Sequence, residues 1–392
     1  MTQAVQPPPA SVAARATRPG NPLSWSESWL QWRNRLLASA RFQRWAAAFP
    51  VTRPIARRRA RQLFDLCAGF VYSQVLLACV RLRLFEVLAS GPQSHSELAT
   101  RMALPPEAAA RLLGAAVSLH LLERLGDDRF ALGPLGATLV GNGAVLAMVE
   151  HHALLYADLA DPVALLRGES PAAALAAYWP YARAGDPSQV EPGRVAAYSA
   201  LMSASQPLVA DEILDAYPLR GHRCLLDVGG GEGAFATAAA RRAPRLRLVV
   251  FDLPAVAALA QSRLDAAGLG DRAQVVGGNF LVDRLPEGAD IASLVRVIHD
   301  HDDASALAVL RAVRRALPPD GTLLLAEPMA GVAGAEPIGD AYFGFYLLAM
   351  GRGRARTPAE LETLLRTAGF GRVERVPTRQ PLQTGLLVAR AK

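Results

Sequence analysis

The fold of this 392-residue chain is decided by residues 225–233, which read LLDVGGGEG. Apolar residues typical of a buried strand run here into a glycine-rich turn, and a helix is predicted directly after it. Gly229, Gly231 and Gly233 are spaced G-x-G-x-G, which differs from the G-x-G-x-x-G spacing of dinucleotide-binding folds. Glycines let the backbone approach a ligand closely, although they could also serve only to tighten the packing of the turn. A small-molecule site is the better explanation, because the next predicted strand leads into an acid, Asp252.

Strands and helices alternate from residue 223 to the C terminus. This alternation predicts an α/β fold, in which a doubly wound, Rossmann-like and mostly parallel sheet is covered by helices on both faces. The seven predicted strands are Cys224–Val228, Leu246–Phe251, Ala273–Val276, Ile291–Val297, Thr322–Ala326, Val373–Val376 and Gly385–Ala389. The helices predicted between them include Ala234–Arg242, Ala255–Ala267, Ala304–Leu317 and Pro358–Ala368.

Residues suited to binding a nucleoside stand where these strands end. A carboxylate at Asp252 can accept hydrogen bonds from both hydroxyls of a ribose. Asn279 and Phe280 follow the third strand, where an amide and a ring could contact an adenine. The carboxyl ends of parallel strands meet at one edge of the sheet, so we expect a single site there. The residues expected to bind the cofactor are Asp227, Gly229, Gly231, Asp252, Leu253, Asn279, Phe280 and Arg296.

Three motifs together resemble the class I S-adenosylmethionine-dependent O-methyltransferases, in the dimeric branch of the caffeate-type plant enzymes and their bacterial relatives. The motifs are LDVGGGEG at 226–233, FDLP at 251–254 and IHDHDD at 298–303. The resemblance extends from residue 63 to the C terminus. It implies that S-adenosylmethionine is the cofactor and that the enzyme is a homodimer.

Two further stretches resemble one group within that family, the carotenoid hydroxyl methyltransferases of purple photosynthetic bacteria. They are Arg57–Gln74 and Ala349–Gly353. The resemblance implies methylation of the C1 tertiary hydroxyl of acyclic carotenoids of the demethylspheroidene or hydroxyneurosporene type, in spheroidene-type carotenoid biosynthesis. The alternative is an O-methyltransferase of a soluble phenol, polyketide or tetrapyrrole.

The expected catalytic base is His299, which follows the fourth strand and matches the general base of the family. Glu327 follows the next strand, and adjacent parallel strands would bring the two side chains together. The glutamate could then hold one imidazole nitrogen and leave the other facing the substrate. Asp300 is expected to help position the base or the cofactor. No catalytic role is assigned to the three other histidines considered, which are His151, His152 and His301.

The expected substrate pocket is apolar. Met350 stands where we align an asparagine of the phenol-methylating plant members, and Ala355 stands where they carry a second glutamate. The preceding segment, Ala341–Leu348, is also strongly apolar, which suits either an isoprenoid tunnel or a plain core helix. The pocket residues predicted from this segment are Tyr342, Phe343, Tyr346 and Met350.

Before the sheet, residues 63–142 have the order of a winged-helix domain. A long helix is predicted over Leu63–Leu88, followed by short helices over Ser94–Met102 and Pro106–Leu119 and a hairpin around residues 126–128. A winged helix by itself suggests DNA binding, and a regulator with a vestigial cofactor site is the competing interpretation. The presumptive recognition helix carries only Arg111 as a base, so packing is favoured. The family resemblance implies a dimerisation module and no nucleic-acid partner.

The N-terminal arm, residues 1–62, carries most of the basic charge. It holds eleven arginines and one acid, a net charge of +10 against +7 for the whole chain. Trp25, Trp29 and Trp32 fall on one face of a predicted helix, and breaks are expected near Pro50 and Pro54. Arginine interleaved with tryptophan suits peripheral contact of residues 24–62 with a membrane interface. Packing on the body of the dimer is the main alternative, and nucleic acid is the least favoured partner.

The predicted domains are the arm (1–62), the winged-helix-like dimerisation domain (63–165) and the S-adenosylmethionine-binding catalytic domain (166–392). We also predict disorder over residues 1–22 and a long helix over Arg194–Tyr217, after a loop marked by Pro180 and Pro187.

Composition excludes several other kinds of protein. Lys392 is the only lysine, so no Schiff-base lysine is available. Three cysteines without a CxxC pair argue against disulfides and a cysteine zinc site, and no HExxH-like spacing implies a metal. Residues 1–14 lack the pattern of a signal peptide, and the apolar window Leu66–Val80 is too short and too polar to span a bilayer. We expect a cytoplasmic protein, with peripheral attachment to the cytoplasmic face of the inner or photosynthetic membrane.

Overall fold

The computed structural model of the chain describes residues 24–170, 174–178, 205–379 and 384–392. The predicted disorder of residues 1–22, the loop at Pro180 and Pro187, and the first part of the helix over Arg194–Tyr217 lie outside these residues. The chain divides into two compact units, residues 1–74 and residues 75–392.

The first unit contains helices α1 (Trp25–Ala38) and α2 (Ala40–Ala48) and the beginning of α3 (Arg53–Arg81). α1 begins at a capping box, in which Ser24 and Glu27 satisfy each other's backbone N–H groups. Ser39 ends α1 and caps α2 by accepting from the backbone N–H of Phe42. The helices therefore separate at Ser39. The chain breaks again over residues 49–52, around Pro50 as predicted, and Pro54 itself lies in the first turn of α3, where proline is tolerated.

α3 is longer at its N terminus than predicted and ends seven residues earlier than the predicted Leu88. Arg83 has a left-handed backbone with φ 54°, which separates α3 from the short helix α4 (Leu84–Ala89). The prediction that the apolar window Leu66–Val80 is too short and too polar to span a bilayer is wrong as to length and composition. The helix α3 that contains it has 29 residues and an 18-residue window of mean hydropathy 1.8, of which 17% is buried. One such helix is weak evidence for a span, because Leu77 and Val80 near its end are buried in a protein core.

The winged-helix-like segment follows in the second unit. It comprises β1 (Gln93–Ser94), α5 (His95–Arg101), α6 (Pro106–Ser118), β2 (Leu122–Leu125), β3 (Arg129–Leu132) and α7 (Pro134–Ala137). The strands form an antiparallel sheet in the order β1-β3-β2. Phe85, Leu98, Leu113 and Phe130 are fully buried in its core. Helices α8 (Gly143–Asp158), α9 (Pro162–Arg167) and α10 (Ala174–Tyr178) come next, and residues 205–216 form α11.

The C-terminal part of the chain is a doubly wound sheet, as predicted. Its strands are β4 (Cys224–Val228), β5 (Arg247–Asp252), β6 (Ala273–Gly277), β7 (Ile291–Val295), β8 (Thr322–Glu327), β9 (Phe370–Val376) and β10 (Gly385–Ala391), in the order β6-β5-β4-β7-β8-β10-β9. The helices are α12 (Ala234–Arg242), α13 (Pro254–Ala266), α14 (Asp303–Ala316), α15 (Phe343–Met350) and α16 (Pro358–Thr367). Only β10 runs antiparallel to its neighbours.

Alternate residues of the central strands enter two separate cores, because both faces of the sheet are covered. On β4, Leu226 packs with residues of α14 and α16 on one face. Leu225 packs with residues of α11, α12 and α13 on the other. The strand order reverses between β4 and β7, so the carboxyl ends of these two strands open the crevice in which doubly wound folds bind ligands.

The buried core of the winged-helix-like segment should contribute strongly to its stability. Leu113→Ala removes a fully buried side chain and should lower the free energy of unfolding by about 2–5 kcal/mol. Leu125→Ala, a control at a side chain that is 41% exposed, should change it by less than about 0.5 kcal/mol. Urea denaturation of the two variants measures both values, and equal effects would contradict this assignment of the core.

Candidate active site

His299 lies directly beyond the carboxyl end of β7. The strand ends at Val295, two residues before the predicted end, because Arg296 adopts φ 57° and turns the chain. A short 3-10 turn over Ile298–Asp300 then presents the imidazole. Its Nδ1 lies 2.6 Å from Oε2 of Glu327 at the end of β8. The expected pairing of His299 and Glu327 is therefore present in the structure.

Glu327 also binds the backbone of the same turn. Its Oε1 accepts from the N–H of Val297 at 3.0 Å and from that of Ile298 at 2.7 Å. Its Oε2 accepts a longer bond of 3.4 Å from the N–H of His299. The side chain is buried. One carboxylate thus fixes both the turn and the imidazole that the turn carries.

Asp300 approaches the imidazole from the other side. One of its carboxylate oxygens lies 3.1 Å from Nε2 of His299. Burial alone would lower the pKa of His299, but the charges of Asp300 and Glu327 raise it, and the pKa lies above its ordinary value of 6.5. Burial raises the pKa of Asp300 to about 6. The two acids therefore favour a protonated imidazole between them.

The glycine-rich turn after β4 lies beside this cluster. Gly229 and Gly231 have φ values of 67° and 56°, which side-chain-bearing residues rarely adopt. A Cβ at Gly229 would press against the side chain of Val297, next to the histidine turn. A Cβ at Gly230 would meet Asp227. The glycines allow the turn to pass close to both groups.

Asp227 is buried at the end of β4, opposite Ser293 of β7 in the parallel register. The Ser293 hydroxyl donates to Oδ1 of Asp227 at 2.6 Å. Oδ2 of Asp227 is buried and has no hydrogen-bond partner within the described residues. Burial raises the pKa of Asp227 to about 7. Sequence reasoning missed Ser293, although the strand register would have placed it there.

Asp252 lies at the end of β5 and is tied to the glycine turn. Its two carboxylate oxygens accept from the backbone N–H groups of Gly231 at 2.8 Å and Leu253 at 2.7 Å. Each oxygen keeps a further lone pair for a ligand. Burial raises the pKa of Asp252 to about 6. Asp252, Leu253 and Gly231 thus meet as the sequence predicted.

Of the two residues predicted to bind the cofactor from the third loop, Phe280 contacts the other site residues with its ring, whereas the side-chain amide of Asn279 bonds within the loop. The ring of Phe280 stands edge-on to that of His301, with centroids 5.4 Å apart, and would lie 3.8 Å from a Cβ at Gly229. The carboxamide oxygen of Asn279 accepts from the backbone of Leu281 instead. Arg296, at the turn after β7, donates to the hydroxyl of Ser205 at 2.8 Å.

The predicted pocket helix begins next to the base. A π-helical turn over Pro337–Tyr342 leads into α15, and such turns occur frequently at functional sites. The Phe343 ring stands edge-on to the His299 imidazole, with centroids 5.9 Å apart. Tyr342 packs edge-on against Phe343 at 5.1 Å and stacks on Tyr346 at 5.8 Å. Met350 is buried at the far end of α15.

Two histidines of α8, to which sequence reasoning gave no role, contact this aromatic row. Nε2 of His151 lies 2.9 Å from the Tyr346 hydroxyl, and Nε2 of His152 lies 2.8 Å from the Tyr342 hydroxyl. Burial lowers the pKa of both, that of His151 to about 4. They therefore stay neutral near pH 7. Nothing local in the sequence signals these contacts, which span 195 and 190 residues.

The site suits a cationic adenosyl ligand. Carboxyl groups surround the turn at Asp227 and Asp300, which are buried, and at Asp252, which is half-buried. Oδ2 of Asp227 is without a partner in the described part of the chain. S-adenosylmethionine carries a ribose, an ammonium group and a sulfonium group. A positive charge would relieve the repulsion among buried carboxylates, and the glycine turn leaves room for the backbone to approach. The residues present therefore fit this cofactor.

Two family models match the chain. Residues 156–371 match the O-methyltransferase domain, and residues 64–142 match the O-methyltransferase dimerisation domain. The second match agrees with a packing role for the winged-helix-like segment and supports the expected homodimer.

Known proteins resemble the chain along most of its length. It is 45% identical to the demethylspheroidene O-methyltransferase of Cereibacter sphaeroides, over 91% of this chain and 93% of that protein. It is 39% identical to the enzyme of the same name from Rhodobacter capsulatus, over 91% and 88%. The solved structure of the pyocyanin biosynthetic protein PhzM matches with a TM-score of 0.70 and 26% identity, over 86% of this chain and 99% of that one. The chain belongs to the O-methyltransferase family, as an enzyme that uses S-adenosylmethionine.

Proposed function

We propose that the enzyme methylates the C1 tertiary hydroxyl of an acyclic carotenoid of the demethylspheroidene or hydroxyneurosporene type. The observation that carries the proposal is the apolar surrounding of the base. The side of His299 that faces α15 meets the ring of Phe343. Further along the same helix, Tyr346 and Met350 are buried in an apolar cluster with Leu155, Leu165 and Leu175. The names of the two bacterial relatives support the same substrate class.

The substrate channel is proposed to follow α15 away from His299. Tyr342, Phe343, Tyr346 and Met350 would form its wall. A cavity of about 300 Å³ lies beside this helix, and Leu348 and Ala355 line it together with the charged residues Asp340 and Arg354.

The cofactor is proposed to lie across the glycine turn. When bound, S-adenosylmethionine supplies an electrophilic methyl group. Asp252 and Leu253 would hold the ribose, Phe280 would cover the adenine together with Asn279, and Asp227, Gly229, Gly231 and Arg296 would bind the methionyl part. This assignment uses Oδ2 of Asp227, which is buried without a partner among the described residues.

His299 is proposed to remove the hydroxyl proton as the methyl group arrives. A tertiary alcohol is about as weakly acidic as water, so its pKa lies far above that of an imidazole, which is about 6.5. Prior ionisation of the alcohol is therefore unfavourable, and proton transfer has to accompany methyl transfer. Glu327 holds Nδ1 and leaves Nε2 to take the proton, and Asp300 stabilises the resulting imidazolium.

The N-terminal arm is proposed to attach the enzyme peripherally to the cytoplasmic face of the membrane that dissolves its substrate. Trp25, Trp29 and Trp32 are 86%, 48% and 60% exposed, and α1 has no buried residue. Exposed indoles suit the depth of lipid headgroups, and the arginines of the arm suit anionic lipids. We propose the division into arm (1–62), dimerisation domain (63–165) and catalytic domain (166–392), and the order of the two family matches, over 64–142 and 156–371, supports it.

Substrate class and base are tested together with methyl-labelled S-adenosylmethionine. The wild-type enzyme should label detergent-dispersed hydroxylated acyclic carotenoid and leave catechols and flavonoids unlabelled. His299→Ala should bind the cofactor normally and lose about 10²–10⁴-fold in kcat, because general-base catalysis typically contributes that much. His95→Ala, a histidine substitution in α5, is the control. Label in phenols alone would favour the soluble-substrate alternative, and full activity of His299→Ala would exclude His299 as the base.

The pH profile should reveal the charged neighbours of the base. His299 must be unprotonated to act, and its pKa is raised, so kcat/KM should fall on acidification already at a pH above 6.5. Glu327→Gln removes a charge that raises this pKa, so its acid limb should move to lower pH while kcat falls. Glu336→Gln, at an exposed position, should leave the acid limb of the profile of kcat/KM against pH where it is. If Glu327→Gln did not move that limb, the effect of the Glu327 charge on the pKa of His299 would be contradicted.

Membrane attachment is tested by flotation of the full-length protein with vesicles. The protein should float with vesicles containing phosphatidylglycerol, and less with phosphatidylcholine alone or at high salt, because charge attraction is screened. Replacing Trp25, Trp29 and Trp32 together by serine should abolish flotation. Replacing Val163 and Leu166, which are 52% and 60% exposed on α9, should not abolish flotation. Equal flotation of both variants would contradict attachment through the arm.

A further inference from the structure

Arg356 is a buried arginine next to the histidine turn. Its side chain is 1% exposed, although it lies in the segment between α15 and α16. Its Nε donates to the carboxylate of Asp303, at the first turn of α14, over 2.9 Å. Buried arginines are rare and generally have specific partners, so the remaining contacts of this guanidinium are informative.

One terminal nitrogen of the guanidinium also lies 2.8 Å from the carboxylate of Asp303. The other remaining contacts go to the backbone on both sides of His299. One terminal nitrogen of Arg356 donates to the carbonyl of Ile298 at 2.8 Å, and the other donates to the carbonyl of His301 at 2.7 Å. The planar guanidinium thus spans the turn from the residue before His299 to the second residue after it. Its fixed fork geometry sets the spacing of these two carbonyls.

The same segment binds the carbonyl of His299 itself. The backbone N–H of Arg354 donates to it at 2.9 Å. Gly353, with φ 81°, allows this approach, because a Cβ there would collide with the carbonyl oxygen of His299. The carbonyls of residues 298, 299 and 301 are therefore all held from one side.

The opposite side of the turn belongs to Glu327, which accepts from the N–H groups of Val297, Ile298 and His299. A carboxylate thus holds the donors and a guanidinium holds the acceptors of one short turn. Glu327 holds the N–H side of the turn and Nδ1 of His299, and Asp300, which contacts Nε2, belongs to the turn itself. Arg356 holds the carbonyl side of the turn, so a shift of that side would move the imidazole that the turn carries.

We propose that Arg356 is a positioning residue for methyl transfer, which fixes the direction of Nε2 of His299 by clamping the carbonyls of Ile298 and His301. It acts through His299 and touches neither substrate nor cofactor. The inference rests on the proposed role of His299 as the base. Its consequence is that loss of the clamp should affect the chemical step more than binding.

The deciding variant is Arg356→Lys, which keeps the buried positive charge but reaches the two carbonyls with a single nitrogen. Its kcat should fall about 10–100-fold, as expected for displacement of a catalytic group, with KM for carotenoid and affinity for S-adenosylhomocysteine nearly unchanged. Arg272→Lys is the matched control, because Arg272 also donates to backbone carbonyls, those of Ala240, Ala243 and Leu246, away from His299. It should retain wild-type kcat.

Chemical rescue separates positioning from a merely structural role. Arg356→Ala should lose activity further and regain part of its kcat in guanidinium at millimolar concentration, whereas methylammonium should restore less. The proposal would be overturned if Arg356→Lys kept a wild-type kcat or lost no more than Arg272→Lys. It would also be overturned if kcat and binding fell equally, or if Arg356→Lys failed to fold. Full activity of His299→Ala would contradict the proposed role of His299 as the base, independently of the results for Arg356.

Discussion

One carboxylate organises the catalytic end of this protein. Glu327 receives the imidazole of His299 and three successive backbone N–H groups, and it can do so only because β8 pairs in parallel with β7. The sheet sets the separation of the two strand ends, and the left-handed Arg296 turns the chain so that its donors face the acid. The glycine turn, the pocket helix and the Arg356 segment all approach this turn, so the geometry of the site depends on that contact.

Charge is distributed unevenly around the site. Carboxyl groups with raised pKa values surround the glycine turn, at Asp227, Asp252 and Asp300. On the α15 side of His299, burial keeps His151 and His152 neutral while they contact Tyr346 and Tyr342. Carboxyl groups favour a cation as ligand, and surroundings without charge favour a hydrocarbon. This division agrees with a sulfonium cofactor and an apolar substrate that meet at His299.

Sequence reasoning predicted what depends on periodicity and strand order. The buried strands, the glycine turn, and the meeting of His299 with Glu327 and of Asp252 with Gly231 all follow from parallel strands that end at one edge. It missed contacts that no local pattern marks. Arg356 binds two backbone carbonyls beside Asp303, and backbone carbonyls carry no side-chain signature. The histidines of α8 meet tyrosines nearly 200 residues away. The division between α3 and α4 was missed because neither glycine nor proline marks the left-handed Arg83.

The central claim is that Glu327 holds Nδ1 of His299 and leaves Nε2 to act as the base. The most direct measurement is nitrogen-15 NMR of the full-length enzyme labelled at histidine, with His299→Ala used to assign the resonance. The account predicts that, above the pKa of His299, the neutral ring carries its proton on Nδ1, with a strongly hydrogen-bonded proton signal that Glu327→Gln removes. A neutral ring protonated on Nε2, or a signal indifferent to Glu327→Gln, would contradict it.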